Sequence, residues 1–135
     1  MSYNDCIVFL LAKAYQKSQH LLKMRLKPYG LTAVQALVIE ALMEEDGLTA
    51  GEISKRLVLD NATVSGVLDR MADNEWINKE SDAEDKRVLR IHLSGKALEL
   101  KEPLAKERDG ANEEIMAGFS MDERVILKRL LKDLF

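Results

Sequence analysis

A chain of 135 residues, 47% of them hydrophobic, matches one compact domain with enough apolar material to bury its own core, so it needs no staple of disulfides or metal. Its single cysteine, Cys6, excludes an internal disulfide and makes the cytoplasm the expected compartment. The formal net charge of −3 excludes a broad positive field: residues 1–31 carry five Lys or Arg against one Asp, whereas residues 48–93 carry seven basic against nine acidic side chains.

Few aromatics, two prolines and abundant Leu, Ala, Glu and Lys favour helix over sheet. The run from Cys6 to Ala12 lacks a basic stretch before it and a cleavage site after it, so it does not read as a signal peptide. No apolar stretch approaches the roughly 20 residues of a membrane span, and a soluble protein with no membrane partner is expected.

From Asn4 to Leu26, Ile7, Phe9, Leu10, Ala14, Leu21, Leu22 and Met24 recur at roughly helical spacing and predict one long first helix. Pro28, Tyr29 and Gly30 end it. Thr32 with Gln35 reads as a capping box for a second helix, with Val34, Leu37, Val38, Ala41 and Leu42 on its buried face, ending near Glu45. Gly47 breaks the chain, and Thr49 with Glu52 opens a short third helix built on Ile53 and Leu57. Val58 and Leu59 form a turn. Asp60 then caps a helix from Asn61 to Asn74 whose inner residues are Val64, Val67, Leu68 and Met71. A short helix, a tight turn and a helix opening on small polar residues form the pattern of a helix-turn-helix.

Trp76 and Ile77 lead into a charged tip at Ser81 to Lys86, and Val88 to Leu93 reads as a returning strand, so a β-hairpin wing is expected. Ser94 caps a long helix to about Met116, carrying Leu98, Leu100, Leu104, Ala111 and Ile115; the interior Pro103 predicts a kink or break between Glu99 and Pro103. Gly118 ends it. Ser120 with Glu123 caps a last helix whose inner face is Val125, Leu127, Leu130, Leu131 and Leu134.

The expected fold is therefore mainly α with a small β-hairpin wing: a single unit, 1–135, in which a winged helix-turn-helix (32–93) is flanked by dimerisation helices (1–31 and 94–135). Both terminal segments are more apolar than so small a reading head covers, and a second copy is their natural partner. A two-fold dimer sets two recognition helices one turn of DNA apart, so the expected partners are itself and a palindromic double-stranded DNA site.

The segments LKPYGLTAVQALVIEAL (26–42), GLTAGEISKRL (47–57), LDNATVSGVLDRM (59–71) and DAEDKRVLRIHLS (82–94) resemble the MarR family of transcriptional regulators almost end to end, with the Asp85, Lys86, Arg87 step at the wing tip the most specific signature. The resemblance implies a ligand-responsive homodimeric repressor. It makes Asn61 to Met71 the major-groove helix, with Asn61, Thr63 and Ser65 facing bases or phosphates and Arg70 suited to a phosphate. It sends Arg87 from the wing into the minor groove, steadied by Asp85, with Lys86 and Arg90 beside it. Two residues depart from the pattern: Glu84 stands where many members carry arginine, and Gly66 where many carry arginine or another long polar residue.

The resemblance also implies a small amphipathic or aromatic acid bound between terminal helices and head, near Phe9, Lys13, His20, Met24 and Tyr29. It places Cys6 where some members keep a peroxide-sensing thiol, although a cysteine beside Ile7, Val8 and Phe9 also reads as a small apolar residue. His20 and His92 stand apart with no paired cysteines, so no metal site is expected and no cofactor is implied. Ser94 lacks the setting of a nucleophile elbow, so no enzyme is expected. The acidic head and Glu84 motivate one alternative, a winged-helix protein–protein interaction module with weak or no DNA binding.

Overall fold

Local hydrogen bonds decide where each helix starts. In the computed structural model, which describes residues 1–135, the Asp5 and Cys6 amides bond back to the Ser2 and Tyr3 carbonyls at 3.0 and 3.1 Å, closing a 3₁₀ turn at Tyr3–Asp5. Helix α1 therefore begins at Ile7, three residues later than apolar spacing implied, and runs to Leu26. A second 3₁₀ turn, Lys27–Tyr29, holds Pro28, and Gly30 follows at φ 69°, a left-handed conformation that glycine adopts without strain.

All three capping boxes form. Thr32 and Gln35 open α2, Ala33–Glu44; Thr49 and Glu52 open α3, Ala50–Leu57; Ser120 and Glu123 open α7, Met121–Lys132. Val58 reverses the chain at φ 54°, and Asp60 caps α4, Asn61–Asp73. The wing is an antiparallel pair, β2 (Ile77–Ser81) and β3 (Leu89–Leu93), with Ile77 opposite Leu93 and Ser81 opposite Leu89. A third strand absent from the pattern, β1 at Leu48–Thr49, pairs with β3 and gives the order β1-β3-β2. Two residues are too few to alternate, so only the returning strand reveals it.

Pro103 is accommodated by a break. Helix α5 spans Gly95–Leu98, Glu99 and Leu100 bridge, and α6 starts at Lys101 and runs to Ile115. Pro103 thereby falls in the first turn of α6, where an amide has no partner to lose.

The core lies where α2, α3, α4, the sheet and the start of α6 converge, with Ile39, Leu42, Ile53, Leu68, Met71 and Ile91 at its centre. Several expected core positions are not in it. Leu37 on α2 is 44% exposed and Leu98 57%, because α2 spends its covered arc on Val38, Ile39, Ala41 and Leu42 and the break after α5 turns Leu98 outward. No residue of α7 is buried, and α1 buries only Leu26. Arg25 ties α1 to α6, reaching Glu107 at 3.2 Å and Glu114, and a side chain at Gly110 would collide with its guanidinium. No helix is long and apolar enough to cross a membrane.

Candidate nucleic-acid interface

Burial of Val64, Val67, Leu68 and Met71 turns the opposite face of α4 to solvent, with Asn61, Thr63, Ser65, Asp69 and Arg70 all exposed. The Asp60 carboxylate locks the start of the helix: Oδ1 accepts the Thr63 amide at 2.7 Å and Oδ2 the Thr63 hydroxyl at 2.8 Å. Those bonds, the Thr63 amide first, hold the Asp60 carboxyl below its usual pKa. The Thr63 hydroxyl proton is thus engaged inside the protein, and its oxygen remains free to accept. Asp69 is held by Lys79 at 2.5 Å, so it does not pair with its neighbour Arg70, and the Arg70 guanidinium makes no ion pair.

The wing tip is organised by two aspartates. Asp82 Oδ2 accepts the Glu84 and Asp85 amides at 3.1 and 3.0 Å, and Oδ1 accepts Arg90 Nε at 2.6 Å. The bond from Arg90, then those two amides, lower the Asp82 pKa; the same pairing raises that of Arg90. Arg90 Nη1 also donates to the Gly47 carbonyl at 3.0 Å, so its fork ties the wing to the turn before β1, with two of its nitrogens engaged inside the protein. Arg87 differs. Its Nε and Nη2 each lie 3.1 Å from the Asp85 carboxylate, while its side chain is 90% exposed, so the guanidinium is braced and presented to solvent. That brace is the largest cause of the lowered Asp85 pKa. Lys86 is exposed beside it, and so is Glu84.

Sequence reasoning passed over Asp82 and Asp46, and weighed His92 only as a metal ligand. His92 Nδ1 lies 2.7 Å from Asp46, whose other oxygen accepts the Leu93 amide at 3.3 Å, and its Nε2 lies 3.6 Å from Glu80. Burial acts to raise the Asp46 pKa, but the bonds from His92 and Leu93 outweigh it and the net shift is downward. The signal for Asp82 was its place two and three residues before the amides it binds, the spacing of an Asx turn.

A groove of about 820 Å³ runs between α1 and the start of α2, lined by Gln19, His20, Lys23, Met24, Lys27, Leu31 and Thr32 among others. Of the five residues expected near an effector, His20 and Met24 line it. Phe9 packs edge-on against Tyr3 with Lys13 over its ring, and Tyr29 donates its hydroxyl to Glu107 at 3.3 Å. Burial, then the Glu107 charge, raises the Tyr29 pKa. Gln19, Lys23 and Lys27 recur every fourth residue, the helical spacing that would have found them. Cys6 is exposed as a free thiol at the start of α1.

A helix-turn-helix whose second helix shows an unpaired polar face, beside a hairpin with a braced cationic tip, defines a winged-helix protein of the kind that reads nucleic acid. Comparison with known proteins agrees. The model of the MarR family matches residues 31–89. The chain is 34% identical over 107 residues to the HTH-type transcriptional regulator MgrA of Staphylococcus aureus, covering 78% of this chain and 70% of that protein. It superimposes on a cysteine-to-serine mutant of Escherichia coli MarR complexed with operator DNA, with TM-score 0.88, 25% identity and coverage of 100% and 99%. Bordetella bronchiseptica BpsR, whose DNA binding is regulated by 6-hydroxynicotinic acid, shares the fold at TM-score 0.93 and 24% identity, with coverage of 99% and 96%. The chain belongs to the MarR family, and it is a winged-helix transcriptional regulator.

Proposed function

We propose that this protein is a homodimeric repressor that binds a palindromic double-stranded DNA site in the cytoplasm, without catalysis, and releases it when a small acid binds. The single observation that carries the reading is the outward face of α4, where Asn61, Ser65 and Arg70 stand exposed, next to a wing tip that braces Arg87 in the open. The α4 face suits a major groove, and a narrow cationic tip suits a minor one. Lys86 adds charge at the same tip. Arg90 contributes by holding the wing in place, because its donors are turned to Asp82 and Gly47.

The terminal segments, 1–31 and 94–135, supply the dimer contact. Val125, Ile126, Leu130 and Leu131 on α7, Leu134 just beyond it and Ile7, Val8, Leu10 and Leu11 on α1 are exposed in the single chain, an apolar surface of the kind a second copy covers. A second copy covering them would place two α4 helices about 34 Å apart, one turn of duplex. The groove between α1 and α2 offers His20, Lys23 and Lys27 to an acid group and Met24 and Leu31 to an apolar body. Its position between terminal helix and head supports a ligand that changes the spacing of the two heads.

The test is an anisotropy titration of the purified protein against the duplex upstream of its own gene at two salt concentrations. Salt-steep, sequence-selective binding is expected. No binding at low salt overturns the reading in favour of a protein–protein interaction module, for which the −3 charge and the exposed Glu84 would then account.

A further inference from the structure

Gly66 lies inside α4, where glycine is a poorer helix former than any residue but proline. The fold does not require it. Its φ is not positive, so the backbone has no need of glycine, and a Cβ built there would meet only Arg70 Nη1, at the ordinary contact distance of 3.8 Å. What occupies the space over Gly66 is therefore the Arg70 guanidinium, folded back one turn toward the N-terminus of α4 in the direction helical side chains take.

That placement changes which part of a duplex Arg70 meets. The residues that reach base edges from a recognition helix are those of its N-terminal half, and the fold-back brings the charged fork of Arg70 over Gly66, toward that half. Its donors are available, because Asp69 is held by Lys79 at 2.5 Å and Asp60 is engaged by Thr63. A planar fork with paired N–H groups matches the O6 and N7 acceptors of guanine.

We propose that Arg70 reads a guanine in the major groove of each half-site, and that Gly66 is the positioning residue that keeps its path clear. The inference rests on the DNA-reading role of α4 proposed above and deepens it. A contact to phosphate weakens binding to all sequences alike and adds to its salt dependence; a contact to a base edge discriminates at one base pair. A side chain longer than a methyl group at position 66 occupies the place of the guanidinium and turns it away.

The experiment uses the full-length protein, a duplex selected from a random pool for tight binding, and a panel of that duplex with one base pair changed at a time, titrated at several salt concentrations. Arg70→Ala is expected to weaken binding to the selected duplex about ten- to a hundredfold and to become indifferent to base identity at one position per half-site. Gly66→Leu is expected to lose discrimination at that same base pair while its melting midpoint stays level or rises, a split that a merely structural role would not produce. The proposal is overturned if Arg70→Ala weakens every duplex equally and lowers the salt slope by about one phosphate, or if Gly66→Leu keeps full discrimination. If the unmodified protein retains no duplex from the pool even at low salt, the role of α4 itself has failed, and this assignment with it.

Discussion

The head and the ends of this chain are built from the same apolar residues, yet the head covers most of its own while the ends leave much of theirs exposed. Between Leu26 and Leu104, eighteen buried hydrophobic residues form one cluster, and Val38, Ile39, Ile53, Val64 and Met71 are wholly enclosed. On α7, Val125 is 67% exposed and Leu130 49%, and Leu134 just beyond it is 64% exposed. Amphipathic spacing thus says that a face will be covered, but not by which chain. In the head the partner elements follow within a few residues, and a short loop brings them together. For α1 and α7 the missing cover is, in the reading proposed above, a second copy.

Changes on the uncovered face should break this contrast most severely. The double substitution Ile126→Glu and Leu130→Glu is expected to leave the head folded but convert the protein to a monomer in sedimentation equilibrium. With one head in place of two, DNA affinity should fall by about 10²–10⁴-fold; a persistent dimer would remove α7 from the interface. Truncation in the head acts on folding instead. Leu68→Ala should lower stability by about 2–5 kcal/mol in urea unfolding, since the buried side chain is lost and a cavity is left behind.

The wing sits between these extremes. Arg90→Ala frees both the Asp82 carboxylate and the Gly47 carbonyl, and faster hydrogen exchange at the Glu84 and Asp85 amides is expected while the head core remains protected. The pH dependence has a definite sign. The folded Asp82 carboxyl has a lowered pKa, so its contribution is present above the ordinary aspartate range near 4 and is lost as pH falls through the folded value. The protection factors of the Glu84 and Asp85 amides should therefore fall in acid, and Asp82→Asn should remove that dependence by leaving them low at every pH.

The caps give the smallest effects and the sharpest comparison. Thr32→Ala and Ser120→Ala remove the same chemistry, each at a cost of about 1 kcal/mol. The first should appear in the melting of the head, the second in the dissociation constant of the dimer. Equal effects of both on melting alone would erase the distinction between the two regions.

What the sequence made legible was local. Capping boxes connect residues three apart, the left-handed turn at Gly30 follows from one residue type, and the break before α6 from a single proline, so each was readable before any packing was known. Strand β1 was not, because its two residues exist as a strand only through pairing with β3. The anchoring of Arg90 was equally hidden, since it depends on Asp82 eight residues earlier and on a carbonyl in the turn before β1. Tyr29 was one of the five residues expected near the effector, but its hydroxyl is engaged by Glu107 of α6 and it does not line the groove. The candidate DNA face lay between these cases: its residues followed from helical spacing and family resemblance, whereas the fold-back of Arg70 over Gly66 required coordinates.

The most direct test is selection of duplexes from a random pool by the unmodified protein, followed by sequencing. The account predicts an inverted repeat with half-site centres about 10 base pairs apart, one turn of the helix. Recovery of a single unrepeated motif, or no enrichment at low salt, would contradict it.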